Sequence, residues 1–245
     1  MAHDKRRTAR RVLAAISLMV ALLAGAFLWY VGDFYHADAV AQEALLGADG
    51  IEVTTMDDGS IAFVPQDPRL GLVFYPGGKV EPEAYAPLLL DCAEQGVLCV
   101  LVRPPFNLAI LDTDEADGVI GQFPEVDAWY LGGHSLGGVA AASYLADHLD
   151  EYEGVVLLAA YPIDDLSDTS EQALCIVGTN DGVLNDERYE AARDQLPKDA
   201  REVVIDGGNH AQFGSYGEQD GDGEATISPE EQWEQTAEAI AELVD

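Results

Sequence analysis

Beyond residue 11 the chain has only seven lysines and arginines, of which Lys79 and Lys198 are the lysines. The other five of its twelve basic residues crowd into positions 5–11, whereas all of its 45 acidic residues except Asp4 come later. The formal net charge is −33. A surface this negative repels phosphate backbones and anionic lipid surfaces, which excludes nucleic acid as a partner. It suits brine or an acidic habitat, where salt screening suppresses self-repulsion. That feature concerns environment, not activity.

Cysteine is scarce too. Cys92, Cys99 and Cys175 lie in or beside apolar segments, and three of them at irregular spacing make no disulfide framework. Buried free thiols acting as small hydrophobes are expected; Cys92 and Cys99 are the pair an oxidising compartment would join. No zinc-ligand spacing and no nucleotide-binding fingerprint occurs, so neither metal nor cofactor is called for. Asp220, Asp222 and Glu224 alternate within EQDGDGEATIS (218–228). Without the rest of a calcium-loop spacing they read as a solvated acidic loop. No internal repeat is visible.

One long apolar run is present. Residues 12–32, VLAAISLMVALLAGAFLWYVG, carry no charge and follow the basic cluster directly. Their length matches the ~20 residues that cross a bilayer as a helix. The positive flank holds the N-terminus in the cytoplasm and sends the remainder outside, with Trp29 and Tyr30 as interface anchors. A cleaved signal peptide is the competing reading, and Ala37-Asp38-Ala39 is a late cleavage site for it. Its apolar core normally runs ~7–15 residues and closes on small side chains, whereas this run is longer and ends in LWY. Residues 1–32 are therefore read as a basic tail and membrane anchor. Residues 33–50 are a linker or short helix, and 51–245 form one domain with a sizeable core.

Within that domain, IEVTTMDDGSIAFVP makes a hairpin around Asp57-Asp58-Gly59. Apolar runs at 71–76, 97–102, 128–133, 154–160, 173–179 and 201–206 then alternate with helical patterns at 82–95, 112–123, 136–149, 185–196 and 228–244. Continuous Val/Leu/Ile runs mark strands covered on both faces, and intervening helices mark right-handed parallel crossovers. The fold class is α/β, a doubly wound, mostly parallel sheet. Ligands of such sheets sit beyond the carboxyl ends of the strands.

Gly133-His134-Ser135-Leu136-Gly137 stands at such an end, between a strand and a helix. It fits G-x-S-x-G, in which a sharp turn exposes a nucleophilic serine and glycines clear the space around it. The N–H groups of the helix that starts at Leu136 favour a developing negative charge. A serine hydroxyl needs a base. Of the five histidines, His3 and His36 lie at the membrane segment and His134 is inside the turn, directed away. His148 is ~20 Å along the same helix at 1.5 Å per residue. His210, in the glycine-rich loop after strand 201–206, remains. The acid that orients it is Asp181 in GTNDG, which gives the chain order serine, aspartate, histidine. Asp164, after the preceding strand, is the alternative acid. Gly78, in the turn FYPGGK, and Leu136 are assigned as the two oxyanion N–H donors, with Lys79 N–H as the alternative to Gly78.

From about residue 51 onward, FYPGGKVEPEAYAPLL, GGHSLGG, GTNDG and GGNHAQFGSYG resemble the α/β-hydrolase superfamily. The likeness is to its small bacterial family 5 branch, distantly similar to dienelactone hydrolases. The resemblance implies a serine hydrolase with the triad Ser135, Asp181 and His210. The chain departs from many relatives in having Pro76-Gly77 where they carry His-Gly, and it has serine where dienelactone hydrolases have cysteine.

Residues 160–172 are too few for a helical cap, so the site is expected to be open and to take small or exposed esters, or thioesters. Lys79 and Arg103 follow strands at the same edge and are candidates to attract an anionic group on the substrate. Their alternative is an ion pair, with Glu81 or Glu83 as partner. The overall expectation is a membrane-tethered extracytoplasmic serine ester hydrolase. The competing readings are a non-catalytic binding protein on the same scaffold and a peptidase or acyltransferase using the same three residues.

Overall fold

The computed structural model describes residues 2–244, with side chains for Arg7 and for residues 10–243. Met1 and Asp245, which bound the first and last expected segments, lie outside the described residues, as do the side chains of Lys5 and Arg6. The chain divides into two compact units, residues 1–34 and 35–245.

The first unit is a single helix, α1 (Ala2–Gly32). From Arg10 to Gly32 it offers 23 residues with a mean hydropathy of 2.4, long and apolar enough to cross a membrane. A signal sequence meets the same criterion.

The second unit begins at Tyr35, so most of the segment expected to link the two is part of it. Asp38 caps the short helix α2 (Ala39–Ala44) by accepting the N–H groups of Val40 and Ala41. It also accepts a bond from the Ser215 hydroxyl at 2.7 Å. An eight-stranded sheet follows, in the order β1-β2-β4-β3-β5-β6-β7-β8. Its strands are β1 (Ile51–Thr55), β2 (Ile61–Pro65), β3 (Leu70–Tyr75), β4 (Val97–Leu101), β5 (Trp129–His134), β6 (Gly154–Leu158), β7 (Gln172–Gly178) and β8 (Arg201–Ile205). The first two form the antiparallel hairpin, and β2 runs antiparallel to β4. All remaining pairings are parallel.

Strand β3 is buried along its whole length because its two faces feed two cores. Leu70, Leu72 and Phe74 join α3 (Ala86–Glu94) and α6 (Pro229–Ala241) on one side. Val73 and Tyr75 join α4 (Leu136–Asp147) and Tyr189 of α5 (Asp186–Ala192) on the other. Helix α6 starts at a capping box, with Ser228 accepting from Glu231 N–H and Glu231 from Ser228 N–H.

The helix expected at 112–123 is not formed. That stretch holds two 3-10 turns, Asp114–Ala116 and Ile120–Gln122, separated by Gly118 with φ of 73°. Tertiary bonds override its helical pattern. Tyr75 Oη donates to the Thr113 carbonyl at 2.6 Å, and Tyr144 Oη donates to Asp117 at 2.6 Å. Residues 160–171, between β6 and β7, contain no helix.

Candidate active site

The parallel strands β5, β7 and β8 deliver Ser135, Asp181 and His210 to one edge of the sheet. Ser135 stands between the last residue of β5 and the first of α4, with φ of 53° and ψ of −120°. Positive φ on a residue with a side chain costs ~1–3 kcal/mol and persists only where its surroundings enforce it. Here Ser135 N–H donates to the Leu158 carbonyl at the end of β6, at 2.9 Å. The flanking glycines are required, though by backbone rather than by the serine itself. A Cβ on Gly137 would run into the carbonyl oxygens of Tyr75 and Pro76, and one on Gly133 into the backbone of Gly137. The parallel register that pairs Tyr75 with Gly133 brings the 76–79 turn this close.

His210 and Asp181 are in contact. Nδ1 of His210 lies 2.8 Å from Oδ2 of Asp181, and the two side chains are 2 % and 4 % exposed. The other oxygen of Asp181 accepts the N–H groups of Val183 and Leu184, each at 2.8 Å. An ionised carboxylate only accepts, so a neutral imidazole in this contact carries its proton on Nδ1 and leaves the lone pair on Nε2. Among the described residues Nε2 has no hydrogen-bond partner. His210 and Ser135 line the same cavity, about 200 Å³ in volume. Leu136, Val139, Ala160, Tyr161, Val183 and Leu184 supply much of its wall, Asn185 adds a neutral polar group, and among the described residues no Asp, Glu, Lys or Arg lines it. Asp164 is engaged elsewhere, accepting from the Ser143 hydroxyl at 2.6 Å. The ring of His148 is bonded to the Tyr144 carbonyl at 2.8 Å.

Three N–H groups of the 76–79 turn compete as anion donors. Gly77 N–H donates to Tyr85 Oη at 3.0 Å, and Lys79 N–H to the Asn107 carbonyl at 2.8 Å. Among the described residues Gly78 N–H has no acceptor in the protein, nor has Leu136 N–H at the start of α4. The two residues adjoin, for a Cβ on Gly78 would stand 2.9 Å from Leu136 Cδ2. Arg103 is ion-paired with Glu83, the alternative weighed for it from sequence. Neither Arg103 nor Lys79 lines the cavity beside Ser135.

Two contributors were not legible beforehand. His134, expected to turn away from the site, packs against His210, with ring centroids 4.4 Å apart. Its Nδ1 is 2.8 Å from Tyr85 Oη. Burial, with the neighbouring His210 as a second cause, holds the His134 pKa well below the usual histidine range. Burial raises that of Tyr85, so the phenol stays protonated and donates to the neutral ring. The second contributor is Asp222, whose carboxylate bonds to backbone on both sides of the acid–base pair. Nothing in the spacing of 218–228 singles it out from its acidic neighbours.

A family model described as the alpha/beta hydrolase family matches residues 71–234, from β3 into α6. The chain belongs to the alpha/beta hydrolase family. The match takes in the turn with Gly78, the Ser135 elbow, Asp181 and His210 of this hydrolase. No curated protein matches the sequence. Solved structures match by fold. A predicted CIB-like hydrolase from Thermoplasma acidophilum is 16 % identical with a TM-score of 0.56, covering 79 % of this chain and 99 % of its own. Est1E from Butyrivibrio proteoclasticus is 16 % identical with a TM-score of 0.53, covering 79 % and 98 %. Carboxyl esterase 2 from the mycorrhizal fungus Tuber melanosporum is 13 % identical with a TM-score of 0.54, covering 85 % and 91 %.

Proposed function

We propose that this alpha/beta hydrolase is a serine hydrolase of small, neutral carboxylic esters or thioesters, tethered by α1 with its catalytic unit outside the cytoplasm. The observation that carries the reading is the His210–Asp181 pair: Nδ1 is held by a carboxylate at 2.8 Å, Nε2 has no partner among the described residues, and His210 lines the same cavity as Ser135. In the reaction His210 Nε2 takes the proton of Ser135 as its Oγ attacks the substrate carbonyl. Asp181 stabilises the imidazolium, and the Gly78 and Leu136 N–H groups receive the oxyanion. The imidazolium then protonates the departing alcohol or thiol. In the second half His210 removes a proton from water as it attacks the acyl-enzyme, and the imidazolium returns that proton to Ser135 Oγ as the acid is freed.

The mostly apolar wall of the cavity, with no Asp, Glu, Lys or Arg among its described lining residues, supports a neutral acyl group, and the absence of helix in 160–172 supports an open mouth. The names of two structural neighbours, an esterase and Est1E, agree with ester chemistry at the level of fold. The positive cluster at positions 5–11, ahead of the apolar part of α1, supports the outward topology. The test is labelling with a fluorophosphonate probe: the parent is expected to be labelled and Ser135→Ala not. A parent that stays unlabelled, or a Ser135→Ala variant that reacts as fast, overturns the reading. Protease accessibility of the catalytic unit in intact cells tests the topology separately.

A further inference from the structure

The loop 218–228 is not a uniform acidic surface. Asp220 and Glu224 are exposed, whereas Asp222 is half-buried and its carboxylate is filled with backbone donors. Oδ1 accepts from Gly182 N–H at 3.0 Å, Gly223 N–H at 2.8 Å and His210 N–H at 3.3 Å. Oδ2 accepts from Ala211 N–H at 2.8 Å. Donors arranged this way present their positive ends to the carboxylate and disfavour a cation there. Among the described residues no group of three His, Cys, Asp or Glu side chains is placed to hold a metal ion.

Gly182 follows Asp181, and Ala211 follows His210. One side chain therefore bonds the main chain beside the acid and the main chain of the base. Two amides add further ties: Asn180 Nδ2 donates to the Glu224 carbonyl and Asn209 Nδ2 to that of Gly223, both at 2.8 Å. The backbones meet without room for side chains, for a Cβ on Gly223 would strike the Asn180 carbonyl and one on Gly182 the Gly221 carbonyl. The β7–β8 ladder ends at the Gly178–Ile205 pair, and past it the main chains of the two loops are joined by Asn180 N–H donating to the Gly208 carbonyl at 2.8 Å, so Asp222 adds its bonds where that pairing stops.

We infer that Asp222 is a positioning residue of the active site, a clamp that fixes the loop of Asp181 against the loop of His210. The inference rests on the proposed roles of that pair. A carboxylate suits the task because two oxygens accept bonds from both loops at once, which no neutral side chain of its size reproduces. The catalytic consequence is alignment: when the loops drift, Nδ1 leaves its acceptor and the imidazole loses its place beside the cavity it shares with Ser135. Misplacements of about 1 Å cost roughly 100-fold in rate.

A cavity of about 570 Å³ bordered by Asp222, Asn209 and Ala211 permits a direct test, because a small carboxylate has access to the position Asp222 vacates. In Asp222→Ala, kcat for a short neutral ester is expected to fall about 10- to 100-fold with KM within about twofold. Sodium formate, but not sodium chloride at equal ionic strength, is expected to restore part of it saturably. Asp222→Asn, with one acceptor oxygen in place of two, is expected to lie between parent and alanine, and it serves alone if the alanine variant does not fold. Without substrate, the downfield proton resonance of His210 Nδ1 is expected to shift or broaden in both variants and to stay put in Ser135→Ala. An unchanged kcat and resonance in either folded variant overturns the clamp, as does a loss in the alanine variant that formate does not relieve. Fluorophosphonate labelling of the parent reports on the serine chemistry alone, so a failure there is distinguishable from a failure of the clamp.

Discussion

His134 and His210 lie ring against ring, with centroids 4.4 Å apart and planes tilted by 52°. Two imidazolium ions at that distance would repel, and burial already disfavours the charged form of His134. His134 is thereby a neutral support beside the ring proposed to gain and lose a proton.

That arrangement has a thermodynamic signature. The folded-state pKa of His134 lies below its unfolded value near ~6.5. Its contribution to stability is complete above the unfolded pKa and is lost as the pH falls below it, because the unfolded chain then binds the extra proton. Asp91 acts in the opposite sense. Burial, helped by Glu94, Glu234 and Glu230, pushes its carboxyl up to about 6, so its protonation favours the fold below that pH. His134→Gln keeps an acceptor for Tyr85 and removes the titration. The melting temperature of the parent is expected to drop more between pH 7 and pH 5 than that of the variant, and parallel curves from thermal scans would contradict the assignment.

Asp181→Asn tests the orientation of the base. The amide has nearly the same shape but no longer takes the Nδ1 proton on equal terms, so the wrong tautomer competes. Loss of this partner in a serine triad costs about 10⁴-fold in kcat. Steady-state kinetics on a short neutral ester should give that fall with KM little changed. A loss under tenfold would mean that Asp181 does not orient the base.

The sequence carried the β strands and the three candidate side chains that meet at one sheet edge, because both leave local marks. Unbroken apolar runs follow from two-sided burial, and strand ends locate Ser135, Asp181 and His210 once the sheet is parallel. What it hid depends on contacts between distant segments. Residues 112–123 have helical composition, yet bonds from Tyr75 and Tyr144 pull them into 3-10 turns. His134 reads as an incidental residue between glycine and serine until Tyr85, 49 positions away, is beside it. Asp222 is one acid among 45. Its role comes only from the loops that it joins.

Gly78→Ala tests the oxyanion assignment. Gly78 is not at positive φ, so alanine brings no backbone strain there. The cost is steric: the added methyl would stand 2.9 Å from Leu136 Cδ2 and 3.3 Å from its Cβ. Relief of that contact moves the two N–H groups apart. Removal of one such donor costs about 10²–10³ in kcat, while KM and the melting temperature should hardly change. Affinity for a boronic acid that mimics the tetrahedral intermediate should fall together with kcat. Undiminished boronate binding in a slow variant would move the oxyanion site elsewhere.

The cavity beside Ser135 sets the expected substrate range. Its 200 Å³ admits about half a dozen non-hydrogen atoms at roughly 30 Å³ for each water-sized group. Each buried methylene is worth about 0.8 kcal/mol, close to fourfold in kcat/KM. Rates on a homologous series of acyl esters should therefore climb in steps from acetyl and fall once the chain outgrows the cavity. Val139, in the wall on α4, faces the acyl group in this scheme, so Val139→Phe should shift the optimum to shorter chains. Because neither Lys79 nor Arg103 lines the cavity, Lys79→Ala should leave the ratio of rates on neutral and carboxylate-bearing acyl groups within about twofold of the parent. A flat chain-length profile, or a large change of that ratio, would place the acyl group outside this cavity and beside the rare cations of the catalytic edge.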